Sequence, residues 1–198
     1  MTRSPRRLRN LTLLAGVVLA GLTLLTWTGQ WFGLTLDERS GANSSLAVSG
    51  DVAAPALIAL ALANLALVAA LAISGPVIRL VLAIVQIVLG FTIGLSAVAA
   101  LTDPVHASAS AISTSTGVSG DRSLAALVTS VSVTPWPWVA ALVGVLVMAL
   151  GVFLAITGRA WPGSSRRYQA VRLTSTEPGE NPVADWDSLS DGSDPTAR

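Results

Sequence analysis

Residues 53–101 read AAPALIALALANLALVAALAISGPVIRLVLAIVQIVLGFTIGLSAVAAL, and over that whole stretch Arg79 is the sole ionisable side chain. Two apolar runs flank the break Ser74-Gly75-Pro76. At about 1.5 Å per residue each run is long enough to cross a hydrocarbon core of about 30 Å, and a Ser-Gly-Pro turn does not continue a helix. The pair therefore predicts an antiparallel transmembrane hairpin, with one helix over 53–73 and the next over 77–101. Working outward, comparable runs lie at 11–27 and 138–157. The expected fold is an all-α membrane protein, a four-helix transmembrane bundle.

Composition points the same way. Hydrophobic residues make up 52% of the chain and charged residues only 12%, against roughly 25% charged in soluble domains. The apolar share is mostly Leu, Ala and Val with few aromatics, which suits long helices better than a barrel. There is no cysteine, which excludes disulfides, thiolate nucleophiles and thiolate metal sites. The single histidine, His106, falls in a polar loop. It reads as a solvated residue, because metal binding and acid–base catalysis both need converging partners.

The basic residues are all arginines, and they mark topology. The basic segment 1–10 carries Arg3, Arg6, Arg7 and Arg9. A signal peptide begins similarly, but Thr26-Trp27-Thr28-Gly29-Gln30-Trp31 places bulky rings where cleavage needs small residues, so a retained helix is expected. Counting Arg79, Arg159, Arg166, Arg167 and Arg172 with the first four leaves only Arg39 and Arg122 on the opposite side. By the positive-inside rule both termini are cytoplasmic, N-in/C-in, in a multi-pass protein of the cell membrane.

Residues 28–52 then form an outside loop, with Ser49 or Asp51 available to cap the second helix. Residues 102–135 form another. Its low-complexity stretch 107–120 lacks the hydrophobic content to pack alone. Beyond it, a short amphipathic outer-surface helix at about 122–131 would set Leu124, Leu127, Val128 and Val131 on one face. A strand over 128–133 is disfavoured, since an isolated edge at a membrane has nothing to pair with. Trp27, Trp31, Trp136 and Trp138 read as an outer aromatic belt, and Trp161 as an inner one. Residues 158–198 are expected to be a largely disordered cytoplasmic tail.

Within the spans no charge occupies a central position, which argues against proton relays and ion-coupled transport. Two amides remain. Asn64 and Gln86 each lie eleven positions from Gly75, so they reach a common depth about 16 Å along their helices. A bond between them would pin helix register; alternatively they form the polar floor of a substrate site. Gly90 and Gly94 make a small-xxx-small patch for close helix packing, and Gly16 with Ala20 a similar one. No phosphate-binding loop, zinc-protease helix or nucleophile elbow occurs, so neither enzymatic activity nor a cofactor or metal is expected. No basic face with interleaved aromatics suggests nucleic acid as a partner. The bilayer itself, and a homo-oligomer, are the partners that the spans suggest.

The tail runs Asp185-Trp186-Asp187-Ser188-Leu189-Ser190-Asp191-Gly192-Ser193-Asp194-Pro195-Thr196. With Leu25-Thr26-Trp27 and with Ser49-Gly50 leading into Ala54-Pro55-Ala56-Leu57, it resembles the tryptophan-associated transmembrane protein family of high-GC Gram-positive bacteria. The resemblance implies a small membrane protein encoded among genes for tryptophan biosynthesis, and a setting more than a mechanism. Two functions are compatible with it. One is a non-enzymatic accessory or adaptor protein whose tail binds a cytoplasmic protein through Trp186, Asp187, Leu189, Asp194, Pro195 and Thr196, an apolar anchor surrounded by acids. The other is a permease for a neutral aromatic compound such as tryptophan or indole.

Overall fold

The structure, a computed structural model, describes residues 5–37 and 45–158. Four helices are long and apolar enough to cross a membrane: α1 (Pro5–Thr28), α3 (Ala56–Ile73), α4 (Pro76–Thr102) and α8 (Trp136–Thr157). The shortest, α3, has 18 residues, about 27 Å of helix and close to the core thickness. Helix α1 lies against α3 and α8, α3 against α4, and α4 runs along α8 in the most extensive contact of the bundle.

All four helices bury a stripe with the same period. In α4 the buried positions are Arg79, Ala83, Gln86, Gly90, Ile93, Ala97 and Ala100, steps of four and three that average 3.5 residues. Leu57, Ala61, Asn64, Val68 and Leu71 repeat this in α3, and Pro137, Ala140, Gly144, Val147, Gly151 and Leu154 in α8. Helix α1 does so with Thr12, Gly16, Leu19, Thr23 and Thr26. A 3.5-residue repeat keeps one face turned to its neighbours along the whole helix, as in left-handed bundles. The buried residues are mainly small. Many large apolar ones, among them Leu14, Ile84, Val88, Phe91, Leu142 and Val145, are exposed. That distribution suits lipid and not water, since soluble proteins rarely expose so extensive an apolar surface.

Where α4 meets α8 the backbones touch. A Cβ built on Gly144 would stand 2.5 Å from Gly94 N and 2.9 Å from Gly90 O, and one on Gly90 would stand 2.3 Å from Met148 N. These neighbours are main chain and cannot rotate away. Gly151 is held similarly against Ile87 and Ala83. A Cβ on Gly94, by contrast, meets nothing within 4 Å; Gly94 contributes its backbone as a surface.

The start of α1, the α3–α4 turn and the end of α8 share one end of the bundle, the arginine end, where Leu13 packs with Leu71, Ala83 and Leu154. The opposite end carries the main correction to the expected all-α fold, a three-stranded antiparallel sheet in the order β2-β1-β3. Strand β1 (Gln30–Leu36) leaves α1 almost at once, and β2 (Ser45–Ser49) leads into the short α2 (Gly50–Ala53) and then α3. Strand β3 (Val128–Val133) follows α7 (Asp121–Leu127) and precedes α8. The helix expected over 122–131 therefore stops at Leu127. The strand disfavoured for want of a partner has one: Leu34 faces Val131 and Phe32 faces Val133.

Along β1, Phe32, Leu34 and Leu36 are buried and Thr35 is exposed, a period of two. The register shifts between Gln30 and Phe32. That bulge turns Trp31 inward too. Trp31 is fully buried, donates from Nε1 to Thr26 O at 2.8 Å, and meets Phe32 edge to face, so it is a core residue of the cap and not part of an aromatic belt. After the short α5 (Pro104–Ala107), most of the stretch expected not to pack forms α6 (Ala109–Thr116), and Ile112 is buried in the same apolar cluster. The tail, residues 159–198, and its expected disorder lie outside the described residues.

Because main-chain atoms block any side chain, Gly90→Ala and Gly144→Ala are each expected to lower stability by about 1–3 kcal/mol through overpacking. Gly94→Ala should change it by less than about 0.5 kcal/mol. Unfolding of the purified protein in mixed micelles by increasing sodium dodecyl sulfate measures all three. Equal losses at Gly90 and Gly94 would contradict the contact described.

Candidate functional site

The middle of the bundle holds a hydrogen bond between side chains of two helices. Gln86 Nε2 donates to Asn64 Oδ1 at 2.9 Å, and both residues are fully buried. Each sits on the 3.5-residue stripe of its helix, in phase with Ala61 and Val68 on α3 and with Ala83 and Gly90 on α4. The α3–α4 turn fixes their common depth. Gly16 of α1 closes the level from the other side, its Cα so near Val68 that a Cβ would stand 2.5 Å from Val68 Cγ2.

The pair is incompletely satisfied. Asn64 Nδ2 and Gln86 Oε1 are buried and have no hydrogen-bond partner among the described residues. This does not depend on which way the amides are turned, because one bond between two primary amides always leaves one oxygen and one nitrogen over. The remaining polar atoms, a donor and an acceptor side by side, match a neutral group that has both functions, or one bridging water. They match no isolated ion.

The threonines of the spans are satisfied locally. Thr12, Thr23 and Thr92 donate to carbonyls one turn back, at 2.8, 2.9 and 2.9 Å, so they carry no unmet bonding capacity into the core. Arg79 is buried at the arginine end. It donates from Nη1 to Gly158 O at 2.7 Å and from Nη2 to Ser74 O at 2.9 Å, which ties the ends of α8 and α3 together. Cations at helix C-termini also oppose the negative end of the helix dipole.

At the sheet end, His106 is exposed, with Nδ1 3.7 Å from Asp121 Oδ1, and its backbone N–H donates to Asp103. These residues line an open cavity of about 270 Å³ with Arg122 and Leu124. No cluster of three metal-ligating side chains occurs among the described residues.

Of the residues singled out in the sequence, the structure brings Asn64 to Gln86, and Gly90 with Gly94 to α8. Trp186, Asp187, Leu189, Asp194, Pro195 and Thr196 lie outside the described residues. Gly144 and Gly151 are additional packing residues. Their signal was available in the spacing Ala140, Gly144, Val147, Gly151, a heptad stripe of small residues on an otherwise bulky helix.

Leucine at either amide position strands the other amide in apolar surroundings, whereas leucine at both removes the polar atoms together. Asn64→Leu and Gln86→Leu should therefore each destabilise, and the double variant should lose less than their sum, by a coupling of about 0.6–2 kcal/mol in a double-mutant cycle in micelles. A coupling indistinguishable from zero would mean that the bond contributes nothing net.

A family model described as tryptophan-associated transmembrane protein matches residues 13–196. No curated protein and no solved structure matches the chain. The match takes in all four apolar helices, apart from the first turns of α1, and the three strands between them. The chain belongs to the tryptophan-associated transmembrane protein family.

Proposed function

We propose that this protein is a non-enzymatic accessory protein of the cell membrane, linked to tryptophan metabolism, with both termini in the cytoplasm. In this reading the bundle is a rigid anchor and the tail a recognition segment for a cytoplasmic protein. The observation that carries it is the way the bundle is closed. Main-chain contact between α4 and α8 leaves no room there for even a methyl group. At the far end, β1 bonds to both β2 and β3 and so links the ends of α1, α3 and α8 through backbone hydrogen bonds. Alternating access needs one group of helices to rock against another, and here such rocking would break a cap and a backbone contact together. An anchor requires the opposite property, a fixed platform. The tail contributes Trp186 and Leu189, two apolar residues three apart among acids, a common layout for a docking segment.

A second reading rests on one specific observation, the unpartnered Asn64 Nδ2 and Gln86 Oε1 in mid-bundle. They favour a permease for a neutral aromatic compound with a polar N–H group, such as indole or tryptophan.

Crosslinking with mass spectrometry in native membranes should return a cytoplasmic protein joined through residues 185–196. A set of partners unchanged by deleting Asp185–Thr196 would remove the adaptor role. In proteoliposomes, labelled tryptophan and indole should cross no faster than in protein-free vesicles. Flux that grows with protein content and falls in Asn64→Leu/Gln86→Leu would replace the anchor by the permease. An impermeant reagent that labels terminal tags in intact cells would overturn the orientation.

A further inference from the structure

Among the described residues, charge at the arginine end is one-sided. The described acids Asp37, Asp51, Asp103 and Asp121 all belong to the sheet end. Arg7, Arg9 and Arg79 stand at the other. Leu13 and Ala83 belong to one apolar layer, and Arg9 and Arg79 each lie four residues, about one turn, beyond it on the same helix faces. The N-termini of α1 and α4, both at this end, add the positive ends of two helix dipoles.

Arg79 spends its donors on the carbonyls of Gly158 and Ser74. Arg9 is placed differently. It is half-buried, its Nε is sealed from solvent, and that atom has no hydrogen-bond partner among the described residues. A guanidinium partly withdrawn from water beside a second cation is unfavourable until an anion joins it.

The surface below this charge is apolar and continuous. Arg7, Leu11, Leu14 and Val18 follow one another at steps of four, three and four along α1, and all four are exposed. One stripe thus carries a cation at headgroup depth and bulky hydrocarbon beneath it, the profile of an amphiphile with an anionic head. Free phosphate would use only the top of the stripe.

We propose that Arg7 holds the phosphodiester of an anionic membrane lipid, whose acyl chain lies along Leu11, Leu14 and Val18, while Arg9 and Arg79 add positive charge from the neighbouring face. The site goes beyond the anchoring function and does not depend on which face of the membrane is cytoplasmic.

The test uses the full-length protein in a neutral detergent, with lipid retention read by native mass spectrometry. Phosphatidylglycerol should be retained in preference to phosphatidylcholine. Arg7→Gln/Arg9→Gln should weaken that preference about fivefold for each arginine removed. Arg9→Lys should keep most of it, and Arg122→Gln, at the sheet end, all of it. Equal retention of the two lipids, or a preference unchanged in the double variant, would overturn the site. So would inorganic phosphate that displaces phosphatidylglycerol at equal concentration, since the acyl stripe would then have no part. Retention that rises when Glu177, Glu180, Asp185 and Asp187 are changed to their amides would assign the arginines to tail carboxylates and also overturn it.

Discussion

Between lipid-exposed helices the hydrophobic effect has little to give, because a leucine leaving acyl chains for a helix interface exchanges one hydrocarbon for another. What holds such a bundle is close fit and the few polar bonds that hydrocarbon cannot replace. The contact of α4 with α8 shows the first of these in its strictest form: Gly90 and Gly144 bring two backbones so near that the neighbours of each missing Cβ are main-chain atoms. The 3.5-residue stripes extend that principle, with many small residues inside, most clearly on α4 and α8, and bulky ones such as Phe91 and Leu142 outside. Gly16 repeats it between α1 and α3. The hydrogen bond between the side-chain amides of Asn64 and Gln86 supplies the second ingredient at mid-depth.

The two ends of the bundle solve a different problem, since both meet water and helix ends there leave carbonyls and N–H groups unpaired. At the arginine end a single side chain, Arg79, binds carbonyls from two helices. At the sheet end the chain continues directly from helix into strand, and the backbone groups pair in a ladder. Gly50 lets this happen in a confined space: its N–H bonds to Gly29 O, and a side chain there would meet Trp31 Nε1 and the carbonyls of Thr26 and Trp27. The cap and the spans are therefore one apolar cluster, from Phe32 and Val48 down to Ile93 and Val147.

The spans were legible because uninterrupted hydrophobicity is a one-dimensional signal, and so was the meeting of Asn64 with Gln86, because a tight turn converts equal sequence distance into equal depth. The sheet was harder to see. Phe32, Leu34 and Leu36 alternate as a strand should, but over few residues and beside Gly, Ser and Asn, so composition outweighed period. Val128–Val133 alternates as well, yet its partner lies about a hundred residues earlier, and a local reading has no access to that pairing. Ile112 was obscured in the same way by its Ala, Ser and Thr surroundings. The heptad on α8 was visible in principle, but in a run where nearly every residue is apolar a stripe stands out by size alone.

The central place of β1 has a consequence for biogenesis. It emerges right after the first helix, yet one of its edges is completed by a segment made only after three of the four spanning helices have been synthesised. During that interval a strand with an open edge waits at the bilayer surface, and non-local pairings of this sort are slow to form. The ladder to Val128–Val133 thus acts as a late latch, closing only when the second long loop reaches the compartment that holds the first.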